Sequence, residues 1–116
     1  PAPHRVEVVA RVLSEPVPLS AFANDSENRF IAGDDFINGS STVAISVNDD
    51  GPGIPADVLP KLFEPYFTTK VAGQGTGLGL SIIQRLIRSA RGAIQVQTHR
   101  ATGTTFTVYL PVRATA

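Results

Sequence analysis

Three short stretches carry residue types suited to chemistry. The first is Asp49-Asp50-Gly51-Pro52-Gly53. Asp49 falls two residues beyond Val47 at the same parity as Val43 and Ile45. A strand that continues this far turns the Asp49 carboxylate towards the apolar side. A carboxylate in that position needs hydrogen-bond donors, and the exocyclic amine of a ligand is a suitable one. The alternative is a plain turn whose aspartate caps the next helix. The second stretch is Phe63-Glu64-Pro65-Tyr66-Phe67-Thr68-Thr69-Lys70, with three aromatic residues followed by two hydroxyls and a lysine. Its aromatics can wedge a movable segment against a core, and Lys70 can reach a phosphate as a point charge. They also suit an ordinary hydrophobic cluster beside a solvated lysine. The third is Gly73 to Ser81, GQGTGLGLS, directly before an apolar helical pattern. Backbone N–H groups of Gly75, Gly77 and Gly79 lie at or before the first helical turn, where free donors and the helix dipole favour an anion. A flexible hinge explains the same glycines. The stretch lacks the lysine of a G-x-x-x-x-G-K-[ST] loop, and no strand runs directly into it.

The elements that must position these stretches are clear from Thr42 onward. TVAISV alternates with Val43, Ile45 and Val47 on one face, which predicts a half-buried strand. Ala56 to Phe63 reads as a short helix interrupted by Pro60. Leu78 to Ala90 is the strongest helix, with Ile82, Ile83, Leu86, Ile87 and Ala90 on one face and Gly92 as its cap. Ala93 to Thr98 and Thr104 to Leu110 read as strands, the second with Phe106, Val108 and Leu110 on one face. The first 41 residues are less regular. Arg5 to Leu13 suits either a short helix or a strand. Leu19 to Asn24 and Arg29 to Ala32 are strand candidates separated by a turn at Asp25 to Asn28. Gly33 to Ser41 reads as loop.

The chain has 116 residues, 42% of them hydrophobic, a formal net charge of zero and no cysteine. This suits one soluble domain and gives no electrostatic footprint for nucleic acid or a membrane surface. Disulfides and thiolate zinc sites are excluded. No apolar run reaches the ~20 residues of a membrane span.

Taken together and in this order, the three stretches resemble the ATP-binding catalytic domain of bacterial sensor histidine kinases, within the group that includes heat-shock chaperone ATPases, type II topoisomerases and mismatch-repair ATPases. DDGPGIP resembles the first glycine box, FEPYFTTK the phenylalanine box, GTGLGLSII the second glycine box, and ATGTTFTVYLP the closing strands. The resemblance spans residues 42–112, the motif-bearing core of a single domain over 1–116; residues 1–41 are divergent or incomplete. It implies an α+β, two-layer sandwich, with a mixed, largely antiparallel sheet covered on one face by helices. It implies that Asp49 accepts a hydrogen bond from the adenine amine, and that Gly51, Gly53 and Ile54 let the purine approach the backbone. Phe63 and Phe67 would anchor a lid, and Lys70 would contact phosphates. Gly75, Thr76, Gly77 and Gly79 would line the phosphate path, with Leu78 and Leu80 beneath, and Thr105 would lie near the adenine. The implied cofactors are ATP and Mg²⁺. The implied partners are a histidine-bearing dimerisation domain of the same protein and a response regulator, in the cytoplasm, without nucleic acid or direct membrane contact.

One family element is missing. An amphipathic helix with a Mg²⁺-holding asparagine is expected before TVAISV, and some 25 residues are absent between about Phe36 and Ser41 by comparison with the family. Asn24 and Asn28 stand in a polar stretch, and Asn38 in a loop. The resemblance therefore leaves the Mg²⁺ site unidentified and predicts an incompletely covered sheet. His4 and His99, the two histidines, lack the helical acidic context of a phosphoacceptor.

Overall fold

The computed structural model describes residues 5–32, 35–39, 41–51, 53–64, 79–99 and 103–112. Five strands form one sheet: β1 (Val6–Leu13), β2 (Asn28–Ala32), β3 (Thr42–Asp49), β4 (Ala93–His99) and β5 (Gly103–Pro111). Helix α1 spans Gly79–Ser89, and 3₁₀ helices form at Leu19–Phe22 and Leu59–Lys61. The strand order is β1-β3-β5-β4-β2, and all four ladders are antiparallel. The α+β class is as expected from the sequence.

The register follows from side-chain alternation. Val43, Ile45, Val47 and Asp49 share one face with Val108, Phe106 and Thr104 opposite them. Ile94, Val96 and Thr98 extend the same rows into β4. α1 and the 59–61 turn cover this face. Leu59, Phe63, Ile87, Ile94 and Val96 form its core, with Ile31, Ile54, Leu62, Phe106 and Val108 packed around them. Each fully buried Leu, Ile, Val or Phe contributes roughly 1.5–3 kcal/mol. The opposite face holds a second core of Val17, Ala21, Ala44, Ala93 and Tyr109, bordered by the rings of Phe22, Phe30 and Phe36. Phe22 and Phe30 pack at 4.4 Å between centroids. At its centre the Tyr109 hydroxyl donates to Gln95 Oε1 at 2.8 Å, and Gln95 Nε2 donates to the Ala21 carbonyl.

Several local expectations change. Arg5 to Leu13 resolves as the edge strand β1. Within Leu19 to Asn24 the chain forms a 3₁₀ helix at Leu19–Phe22 rather than a strand, because Pro18 and the Ala21 N–H to Pro18 carbonyl bond close a tight turn. Ala56 to Phe63 contains turns and one 3₁₀ helix rather than a short α-helix, since Pro60 lacks the N–H that continued winding needs. α1 ends by a different device from a Gly92 cap. Gly92 N–H bonds the Ile87 carbonyl and Arg91 N–H bonds the Arg88 carbonyl, the paired bonds of a Schellman ending. The left-handed residue is Arg91, at φ 59°. Gly92 is needed for space: a Cβ there would stand 2.3 Å from the Tyr109 carbonyl oxygen.

Among the described residues the helical layer is thin, as the sequence implies. The nine residues 33–41 lead from β2 to β3, and Ile37 N–H bonds the Arg91 carbonyl on the way. On the helix-bearing face Val6, Val8, Val12 and Val47 are exposed, and Val43 and Ile45 are half-buried. Of the predicted apolar face of α1, Ile87 is buried, whereas Ile82, Ile83 and Leu86 remain exposed.

Candidate functional site

Asp49 closes β3, paired with Thr104 of β5 and Val6 of β1. Its half-buried carboxylate lies on the helix-bearing face, as the parity argument requires. One oxygen, Oδ1, accepts the Gly51 N–H at 2.9 Å. This local bond fixes the carboxylate and leaves acceptor capacity on its second oxygen. Asp50 is turned to the edge instead. Its Oδ1 accepts the Arg5 N–H at 2.8 Å, and its own N–H donates to the Arg5 carbonyl.

The loop after Asp49 is tied to the sheet by threonines. Ile54 N–H donates to Thr98 Oγ1 at 2.7 Å, and the hydroxyls of Thr98 and Thr104 lie 3.0 Å apart. Both threonines are buried. Thr98, Thr104 and Asp49 thus form one cross-strand row beneath the loop. Gly53 turns there with φ 84°. Ile54 then enters the core alongside Phe63. A depression of about 380 Å³ adjoins this loop, lined by Ile54, Pro55, Ala56, Thr98 and His99 together with Ser26 and Glu27. Asp49 is not among its walls, so the carboxylate and this depression are separate features. At its rim the exposed His99 Nε2 stands 3.7 Å from Glu27 Oε2.

The structure therefore brings Asp49, Gly51, Gly53 and Ile54 into one loop, with Phe63 buried on the same side of the sheet. It does not bring Thr105 there. Thr105 alternates to the opposite face, where its hydroxyl donates to Asn48 Oδ1 at 2.5 Å. Thr104 occupies the place beside Asp49. Gly79 and Leu80 begin α1, where the backbone alone is described. Phe67, Lys70, Gly75, Thr76, Gly77 and Leu78 lie outside the described residues.

Gly103, the first residue of the closing strand, adds a position to which the motifs give no site role. It has φ 103°, and a Cβ on it would fall 1.9 Å from the Asp49 carbonyl oxygen. The start of β5 reaches the end of β3 only because this position has no side chain. A glycine before a β-branched strand was the available signal.

The described asparagines do not form a metal site. Asn24 Oδ1 accepts the Phe30 N–H, and Asn28 Nδ2 donates to Asp25 Oδ1. Asn38 holds both backbone groups of Val17, accepting its N–H at 2.6 Å. Among the described residues no three His, Asp or Glu side chains gather as metal ligands. The residues present beside Asp49 thus suit an adenine-type donor and do not fit Mg²⁺.

The chain is similar to known proteins in sequence and in fold. Residues 22–114 match the family model of histidine kinase-, DNA gyrase B-, and HSP90-like ATPases. The chain is 52% identical over 69 residues to the sensor kinase CckA of Brucella abortus, covering 60% of this chain and 7% of that protein. It is 49% identical over 73 residues to the sensor histidine kinase ZraS of Escherichia coli K12, covering 63% and 15%. Among solved structures, a mycobacterial sensor histidine kinase, MprB, superposes with a TM-score of 0.52 at 29% identity, over 64% of this chain and 50% of that one. The chain spans a small fraction of the length of these curated relatives. With the Asp49 loop, the threonine row and the closing strands all in place, the chain belongs to the family of histidine kinase-, DNA gyrase B- and HSP90-like ATPases.

Proposed function

We propose that the chain is the ATP-binding catalytic domain of a two-component sensor histidine kinase. The observation that carries this reading is the placement of Asp49. Its carboxylate stands at the end of β3, held at one oxygen by Gly51, with Thr104 and Thr98 in the same row. In this reading the second carboxylate oxygen accepts the adenine amine, and Thr104 takes the role first given to Thr105. Gly51, Gly53 and Ile54 line the purine. Phe63 anchors the lid that continues through Phe67 to Lys70, and Gly75, Thr76, Gly77, Leu78, Gly79 and Leu80 form the phosphate path. Bound ATP supplies the phosphoryl group, and the protein contributes positioning and charge stabilisation. The acceptor is a histidine on a separate dimerisation domain, and a response regulator receives the group next, in the cytoplasm. No described helix is long and apolar enough to cross a membrane. Calorimetric titration with a non-hydrolysable ATP analogue tests the reading. Binding of adenine but not guanine nucleotide is expected; no heat at millimolar nucleotide overturns it.

A second reading is a non-catalytic module that keeps the fold and acts as a regulatory or binding domain. The observation favouring it is that Asn24, Asn28 and Asn38 are all committed to local bonds away from Asp49. It predicts nucleotide affinity that is the same with and without Mg²⁺. A rise on adding Mg²⁺ removes it.

A further inference from the structure

We propose that β1 is a self-recognition edge, pairing antiparallel with β1 of a second copy about a twofold axis at Val9. β1 lies at the end of the sheet, with seven of its eight residues exposed. It contains no proline and has valines at positions 6, 8, 9 and 12. The direction of its backbone groups follows from its ladder with β3. Arg5 directs both its N–H and its carbonyl at Asp50. By alternation Glu7, Val9, Arg11 and Leu13 bond β3. The N–H and carbonyl groups of Val6, Val8, Ala10 and Val12 therefore point away from the sheet.

These outward groups restrict self-pairing to registers that set even residues against even ones. With Val9 opposite Val9, Val8 meets Ala10 and Val6 meets Val12, so every outward group is used in about eight backbone bonds. The non-bonded pairs, where side chains approach closest, then include Val9 opposite Val9 at the axis and Glu7 opposite Arg11 twice. Shifting the centre to Val8 sets Arg5 against Arg11, two like charges. Shifting it to Ala10 sets Glu7 against Leu13 and leaves Arg11 facing Val9. Charge complementarity thus selects one register and one occupant, a second copy of this chain. The twofold also aligns Val6, Val8 and Val12 of both copies on the helix-bearing side, as one apolar strip across the junction. The interface is isologous. It is independent of nucleotide binding and of the kinase reading.

Sedimentation velocity of the 116-residue chain tests it. A reversible dimer is expected by about 100 µM, consistent with an interface smaller than the standard size. Glu7→Arg sets Arg against Arg at both pairs and should weaken the dimer at least about tenfold. Arg11→Glu should do the same. The double exchange Glu7→Arg with Arg11→Glu restores opposite charges and should return affinity to within about threefold. Val8→Pro removes an outward N–H that β3 does not use, and should abolish the dimer while far-ultraviolet dichroism stays unchanged. Amide exchange at Val8 and Ala10 should slow with concentration, while Val9 and Arg11 stay constant. If Val8→Pro does not fold, the charge series decides. A chain that stays monomeric at this concentration overturns the proposal. So does a dimer indifferent to the charge series, or β1 amides protected only by a different protein's strand.

Discussion

Asp49→Asn separates a binding role from a structural one. In the folded chain Asp49 Oδ1 accepts the Gly51 N–H at 2.9 Å. The amide oxygen of asparagine can keep that bond. Its NH₂ then replaces the second carboxylate oxygen, turning an acceptor into a donor. An adenine amine facing it loses a charge-assisted hydrogen bond and meets another donor. Hydrogen bonds to charged groups contribute about 1.5–3 kcal/mol, so the dissociation constant should rise roughly 10- to 150-fold. Unfolding free energy should change by less than about 0.5 kcal/mol, because the loop bond survives. A hypoxanthine nucleotide, with a carbonyl where adenine has its amine, should bind the variant relatively better than the parent. Calorimetry with both nucleotides and urea denaturation of both proteins provide the measurements. Adenine-nucleotide affinity within twofold of the parent would refute the assignment. So would a loss of affinity matched by an equal loss of stability, since that points to the loop and not to the ligand.

Gly92→Ala should destabilise by about 2–4 kcal/mol, because its Cβ would sit 2.3 Å from the Tyr109 carbonyl oxygen in backbone that cannot easily move; denaturant midpoints check this. Arg91→Gly should instead stabilise by roughly 0.5–1 kcal/mol, by relieving a left-handed residue at φ 59°, seen as a raised thermal midpoint. Tyr109 should make stability fall in alkali. Burial raises its phenol above the usual 10.0, against an opposing effect of Arg11. The folded state therefore holds the proton more tightly, so this contribution is complete below pH 10 and is lost as pH rises through the folded value. Tyr109→Phe should flatten that alkaline slope, at a cost of about 1–2 kcal/mol near neutrality from the abandoned Gln95 oxygen.

How much was legible depended on whether a segment had one buried face. β3 was readable to its last residue because Val43, Ile45 and Val47 alternate, and that alternation located Asp49. The same rule separates the two threonines by face. Phe106, Val108 and Leu110 had already been put on one face, and Thr104, not Thr105, shares their parity. β1 was ambiguous for the opposite reason. VEVVARVL has apolar residues at both parities and buries neither face, so no periodicity separates strand from helix. The 3₁₀ helix at Leu19–Phe22 is set by the Pro18 carbonyl and by packing of Ala21, tertiary features that composition does not reveal. In α1 the helical spacing is as read, but of its apolar face Ile87 is buried while Ile82, Ile83 and Leu86 are exposed, since few of the described residues pack beside them. The family resemblance is shown by the match over residues 22–114, while the Mg²⁺ site stays unassigned for want of the expected asparagine helix.

The strand order also bears on biosynthesis. β5, the middle strand of the sheet, is the last described strand along the chain, while β1 and β2, the two margins, come first. A ribosome releases the margins before the strands they must pair with exist. At ~5–20 residues per second, β1 and its valines wait several seconds without a template. β1 can pair β3 once residue 49 is made, but the β1-β3 and β4-β2 halves become one sheet only when β5 emerges between them.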